Sequence, residues 1–294
     1  MIRTLDLVFQ NNACAIASYL LEGKTGLILI ETGPHSTLPQ LKKAIEEQGF
    51  KIEDVKNVLL THIHLDHAGA AWTFAKQGAT IYLHPLGVRH MADPSKLMES
   101  AKRIYQDKMD ELWGEMHPIP EAQMITAAHE EKVEVDGLTF TAYHTPGHAS
   151  HHIAWEIDKV VFTGDVAGVQ IGNGPVIAPL PPPDIDIEQW KESIQLLRDI
   201  KPKAMYLTHY GAVIDIEHHL DQLEDNIENL SKWVKTHLEA GESIEEMTPL
   251  FDEYCVEQLK ELEMTSVEIE QYQAANPAWM SVAGLTRYWQ KKNK

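Results

Sequence analysis

Cysteine is almost missing from this chain: there are two among 294 residues, Cys14 and Cys255, far apart and neither in a CxxC pair. That argues against a disulfide framework and against a thiolate metal site, and leaves two free thiols. Long hydrophobic runs are missing too, since no stretch reaches the roughly 18 apolar residues of a membrane span. The opening MIRTLDLVFQNNACAIASYL has no apolar segment ending in a small-residue cleavage site, so a cytoplasmic protein is expected. Positive charge is scarce: 25 Lys and Arg stand against 44 Asp and Glu, a formal net charge of −19. Nucleic acids and anionic membranes are bound by clustered cations, so neither partner is expected and a nuclease is disfavoured. The apolar fraction of 44% is that of a globular chain long enough to bury a real core.

Histidine, by contrast, is abundant: the 16 imidazoles gather near residues 62–67, 144–152 and 209–219. The elements around them alternate. GLILIETG (26–33) reads as a buried strand, LPQLKKAIEEQGF (38–50) as a helix with Leu38, Leu41, Ala44 and Ile45 on one face, and VKNVLLTH as a second strand. A short helix ended by Gly78 and the strand TIYLHP follow. Residues 86–128 change character and read as a helical insertion, with Asp93 as N-cap, Pro94 at the first helical position and a helix running to Gly114. Strands then resume: a hairpin turning at Asp136 and Gly137, with Leu138, Phe140 and Ala142 on one face, then HIAWEI, KVVFTGD and AMYLTHYG. The proline-dense GPVIAPLPPPDID (174–186) either walls a pocket or connects, and a helix follows it. From 216 onward the pattern is helical only. The class is α/β, with a catalytic unit over 1–215 and a helical extension over 216–294.

The stretch THIHLDHAG (61–69) is where chemistry concentrates. An apolar strand leads into His62 and His64, whose side chains point the same way from an extended backbone, so both imidazoles can reach one metal. Asp66 and His67 come where the chain turns into a helix and face a point slightly further on, which implies two neighbouring metals. Three other strand ends offer the remaining ligands: His148 after a Thr-Pro-Gly turn, Asp165 after VVFTG and His209 after AMYLT. Each has a glycine within two residues, where the backbone can turn sharply. Histidine with carboxylate is the donor set of hydrolytic zinc sites, although manganese or iron would accept it.

The set THIHLDHAG, TPGH, FTGD and LTHYG, in this order, resembles the metallo-β-lactamase superfamily over roughly residues 1 to 215. The resemblance implies a four-layer αβ/βα sandwich of two similar halves with a binuclear metal site along one edge. It assigns one metal to His62, His64 and His148, and the other to Asp66, His67 and His209, with Asp165 bridging. Two divalent ions, zinc first, would hold a bridging hydroxide as nucleophile, and Asp66 would also orient it and pass a proton. Where the family has Asp before Thr-Gly in its first motif, this chain has Glu31, a change that bears on the support of the site rather than on the fold.

Within that superfamily the sequence narrows the substrate. The segment after Asp165 lacks the Gly-Cys-Gly-Arg of glyoxalase II and the Tyr of lactonases, and the acidic tail shows no Arg and Lys cluster for glutathione. The DPSKL and TPGHASHH elements resemble a less characterised hydrolase branch. The expected substrate is a small ester, lactone or thioester, with promiscuous phosphoester cleavage. The alternatives are a glyoxalase II-type thioesterase or an iron redox enzyme of the same fold; a metal-stabilised scaffold fits poorly, because all seven ligands are present. WGEMHPIP and VIAPLPPP suit an apolar pocket wall. His144 is open between a buried, hydrogen-bonded role and support of the site. His151 and His152 follow His148 too closely for all three to share one metal, and one of them is open to contact with substrate or support of the site. Tyr210, facing away from His209, is left out of it. The tail is open between core packing, a lid and a homo-oligomer contact.

Overall fold

A computed structural model describes residues 1–292. Its strands are β1 (Arg3–Asp6), β2 (Ala17–Glu22), β3 (Leu27–Ile30), β4 (Val55–Leu59), β5 (Thr80–Leu83), β6 (Met124–Thr126), β7 (Glu131–Val135), β8 (Leu138–His144), β9 (Ile153–Ile157), β10 (Val160–Gly164), β11 (Ala204–Leu207) and β12 (Gly211–Val213). Its helices are α1 (Leu38–Glu47), α2 (Leu65–Ala68), α3 (Ala71–Lys76), α4 (Val88–Ala92), α5 (Ser95–Tyr105), α6 (Met109–Leu112), α7 (Ile187–Ile200), α8 (Ile216–Glu239), α9 (Ile244–Glu261), α10 (Ser266–Ala275) and α11 (Ala278–Lys292). Strands β1 to β6 form one six-stranded sheet in sequence order, and β12 to β7 form the other in reverse order.

The layering follows from the strand period of two. In β3 all four residues are buried, but Leu27 and Leu29 join a core beneath α1 and α3, while Ile28 and Ile30 join a core between the two sheets. In β10, Val161 faces the helices of the second half and Phe162 faces the other sheet. Three stacked cores therefore give four layers, helix, sheet, sheet, helix. The hairpin at Asp136 and Gly137 is present, with Val135 opposite Leu138, and Phe140 and Ala142 lie in the inter-sheet core as expected.

Two local expectations are corrected. The helix expected from Pro94 to Gly114 begins at Ser95, with Asp93 accepting from the Ser95 amide at 3.2 Å, and breaks at Gln106, whose φ is +47°. The break lets α6 fold back, so that Tyr105 meets the ring of Trp113 edge-on at 5.0 Å. The stretch read as an insertion also ends in a strand, β6, that pairs parallel with β5. The tail packs as core: Leu220, Leu223, Ile227, Phe251, Val282 and Leu285 share one apolar cluster with Trp190 and Leu197 of α7. Among the described residues no helix is long and apolar enough to cross a membrane.

Candidate metal centre

The two sheets deliver their strand ends to one place. Beyond β4, the Leu60 carbonyl accepts from the Trp155 indole at 2.9 Å, and the Thr61 carbonyl accepts from the Ile153 amide at 2.8 Å. This stretch, which carries His62 and His64, is thereby pinned to the opposite sheet. Two glycines are required where the second sheet answers. At Gly147 (φ +127°), before His148, a β-carbon would fall 2.3 Å from the Trp190 backbone. At Gly164 (φ +50°), before Asp165, it would fall 2.3 Å from the Thr61 hydroxyl and 2.8 Å from His152 Nε2.

The side chains of His62, His64, Asp66, His67, His148, Asp165 and His209 converge. Three overlapping donor groups result: His62, His64 and His148; His62, His67 and Asp165; and Asp66, His67 and His209, with the atoms of each group within 4.8 Å of one another. Asp165 stands between the outer two: Oδ2 is 3.3 Å from His148 Nε2, while Oδ1 is 3.2 Å from His67 Nε2 and 3.5 Å from His209 Nε2. Asp66 Oδ2 lies 3.4 Å from His209 Nε2 and 3.6 Å from His67 Nε2. His64 Nδ1 sits 2.9 Å from His62 Nε2 and 3.1 Å from His148 Nε2. Donors about 2.1 Å from a common ion at tetrahedral angles lie about 3.4 Å apart, so these spacings fit metal coordination.

The hydrogen bonds point to the same fit. His148 Nδ1 donates to the Pro179 carbonyl at 2.9 Å and His209 Nδ1 to the Ala15 carbonyl at 2.7 Å. Each bond fixes the tautomer and leaves a bare Nε2 aimed at the cluster. Both ring nitrogens of His67, Asp165 Oδ1 and His209 Nε2 are buried without a hydrogen-bond partner, a costly condition that a bound cation relieves. Charge points the same way. Among the protein's own groups, burial opposes charge on His67 and His209, and the carboxylates of Asp165 and Asp66 overcome it and push both imidazoles up. Burial also opposes ionisation of those carboxyls, and the two rings hold them down, Asp66 to about 2. The carboxylates thus call for positive charge at the place a metal ion would supply it. Burial and the neighbouring His148 hold His64 as a neutral ligand, down to about 4.

Glu31 is fully enclosed beside this cluster: Oε1 accepts from the Thr61 amide at 3.1 Å and lies 3.5 Å from His67 Nδ1. Its φ of +61° is a left-handed conformation uncommon outside glycine. The longer side chain thus comes close to the His67 ring without a hydrogen bond to it.

A cavity of about 750 Å³ opens over the donors, with His64, Asp66, Asp165 and His209 in its lining. Of the proline-dense segment, Pro179, Pro181, Pro182, Pro183 and Asp184 line it, so this segment is a wall and not only a connector. Trp113 of WGEMHPIP lines it as well, but Met116 and Ile119 are buried in the core instead. The tail contributes Gln273 to Pro277, Trp279 and Met280. Of the histidines left open, His151 lines the cavity, and His152 Nε2 accepts from the Asp165 amide at 3.3 Å. His144 lies elsewhere, hydrogen-bonded to His84 and to the Ala127 carbonyl. Arg89, Lys96 and Lys108 also line the cavity, and the sequence reading missed them. Only their concentration in 86–108 of an acidic chain signals them.

The family profile that matches the chain is that of the metallo-beta-lactamase superfamily, over residues 11–209. The metallo-beta-lactamase fold-containing protein ST1585 of Sulfurisphaera tokodaii is 30% identical over 217 residues, 70% of this chain and 77% of that protein. The probable metallo-hydrolase YqjP of Bacillus subtilis is 23% identical over 243 residues, 75% of each chain. The structure of the metallo-beta-lactamase family protein TTHA1429 from Thermus thermophilus superposes with a TM-score of 0.68 at 19% identity, covering 99% of this chain and 94% of that one. That likeness in fold runs through the helical tail.

Proposed function

Because the chain belongs to the metallo-beta-lactamase superfamily, we propose that it is a two-metal hydrolase of a small ester, lactone or thioester. The observation that carries this reading is the set of unpartnered buried donors on His67, Asp165 and His209, of which Asp165 and His209 also line the cavity. His62, His64 and His148 would hold one ion, Asp66, His67 and His209 the other, with Asp165 shared. Zinc is the default for such nitrogen and carboxylate donors, and manganese or iron would accept the same set. When bound, such a pair supplies Lewis acidity that lowers the pKa of water towards about 7 and polarises a carbonyl oxygen.

The chain's own residues do the rest. Asp66 is the most open of the carboxylates, its side chain 22% exposed against 4% for Asp165. It would accept a proton from the attacking water and return it to the departing oxygen or sulfur. His148 and His209, locked by their carbonyl partners, hold the donor geometry without reorganisation. The aromatic and proline parts of the wall would favour an acyl group there over a polar one.

The test is hydrolysis by zinc-reconstituted protein of S-lactoylglutathione, an acyl-homoserine lactone, an aryl ester and an aryl phosphodiester, with Asp165→Ala as control. Turnover of an acyl substrate that is lost in the control supports the proposal. Turnover of none, in protein shown to carry two zinc ions, overturns it and favours iron redox chemistry in the same donor set.

A further inference from the structure

In a chain of net charge −19, the cavity wall outside the metal donors is locally basic. Arg89 of α4, Lys96 of α5 and Lys108 beyond it line the cavity, and Asp184 is the one carboxylate of that lining apart from Asp66 and Asp165. Asp184 Oδ2 already accepts from the Ser150 hydroxyl at 2.6 Å. All three cations are exposed and, like most described Lys and Arg, have no carboxylate within 4.0 Å, so no ion pair within the chain neutralises them.

Their place relative to the donors follows from the imidazoles between. His151 stands edge-on to the metal donor His64, with ring centroids 5.6 Å apart, and Arg89 Nε donates to His90 Nε2 at 3.0 Å. His151, His90, Arg89 and Lys96 line the same cavity as His64. Elsewhere the lining is aromatic: Tyr105 packs edge-on against Trp113 at 5.0 Å and against Trp279 at 5.5 Å. Tyr105 and Lys96 belong to the same helix, so the aromatic and cationic parts of the wall adjoin; one would take the acyl half and the other the leaving half of a substrate held over the donors.

We propose that α4 and α5 form a subsite for an anionic leaving portion of the substrate, a carboxylate or a phosphate, with Arg89 and Lys96 as its specificity-determining residues. This rests on the hydrolase reading above and narrows it to acyl esters or thioesters whose alcohol or thiol half is negatively charged. Water adds to the acyl carbon, the carbon–oxygen or carbon–sulfur bond breaks, and the released alcohol or thiol takes a proton. Arg89 and Lys96 hold the anion throughout and exchange no proton with it.

The experiment compares one acyl group, benzoyl, on three thiols: neutral N-acetylcysteamine, glutathione with its carboxylates, and coenzyme A with its phosphates. The expected result is a preference of about ten-fold or more in kcat/KM for one anionic thioester over the neutral one. Arg89→Ala with Lys96→Ala should erase that preference mainly through KM, and Asp184→Asn should strengthen it. Whichever anionic thioester is preferred identifies carboxylate or phosphate as the bound group. Equal cleavage of all three, or an equal loss on all three in the double variant, overturns the subsite. If none is cleaved by protein carrying two zinc ions, the hydrolase reading fails separately. The subsite is then decided by calorimetric titration with coenzyme A and S-benzylglutathione: binding weakened in the double variant upholds it, and binding absent or unchanged overturns it.

Discussion

Gly284 of α11 lies against Leu180 so closely that a β-carbon on it would sit 1.9 Å from the Leu180 carbonyl oxygen. Helix and proline-dense wall share a backbone-to-backbone contact that only glycine permits. The tail is therefore a buttress of the cavity, and its trace in the sequence is one glycine within an otherwise ordinary helical pattern.

Gly284→Ala should cost about 1–3 kcal/mol, because the obstacle is a carbonyl and not a side chain that can rotate away. The check is the urea midpoint followed by circular dichroism. The wall includes Pro179, whose carbonyl holds His148, so activity measured well below that midpoint should fall as well. A variant of wild-type stability and full activity would show that the wall is not set by this contact.

Metal removal should lower stability and not activity alone. The donors of His67, Asp165 and His209 are buried without partners, so an ion that binds only the folded chain adds binding free energy to folding. Chelation is expected to lower the melting temperature, and zinc to restore it with two ions per chain by elemental analysis. Asp165→Ala removes the carboxylate facing both outer donor groups, so it should reduce that ratio below two.

Glu31→Gln should cost roughly 10–100-fold in metal affinity or kcat while the fold is kept. The amide can still accept from Thr61 but loses the negative charge 3.5 Å from His67 Nδ1. Competition with a chromogenic chelator reads the affinity directly. If affinity and rate both stay within two-fold, about 0.4 kcal/mol by the usual conversion, Glu31 serves the backbone alone.

The fold was legible where physics made it local. Strands β3, β4, β10 and β11 lie inside a sandwich, which favours apolar runs, and His62, Asp165 and His209 follow β4, β10 and β11 within three residues. The edge strands β1, β6 and β12 are only three or four residues long and partly exposed, so no periodicity could declare them. The break at Gln106 goes with a contact between Tyr105 and Trp113 that joins residues eight apart and that residue spacing does not declare. Arg89 and Lys96 sit on short helices whose cavity-facing side is set by packing against distant segments, which residue spacing does not encode.

Acid should destabilise the protein before its carboxylates titrate. His84 is buried; desolvation, then the nearby His144 and His151, hold its imidazole down to about 4. His84 accepts from the Leu86 amide through Nδ1 and faces His144 Nδ1 through Nε2 at 3.1 Å. A folded pKa below the unfolded value of about 6.5 means that the unfolded chain binds the proton first. The stability contributed by neutral His84 is therefore complete above about pH 6.5 and declines as pH falls from there towards 4. In metal-free protein, where competition between protons and ions for the centre cannot contribute, His84→Asn should flatten the slope of unfolding free energy between pH 6.5 and 4. An unchanged slope would place the acid sensitivity in the other buried histidines.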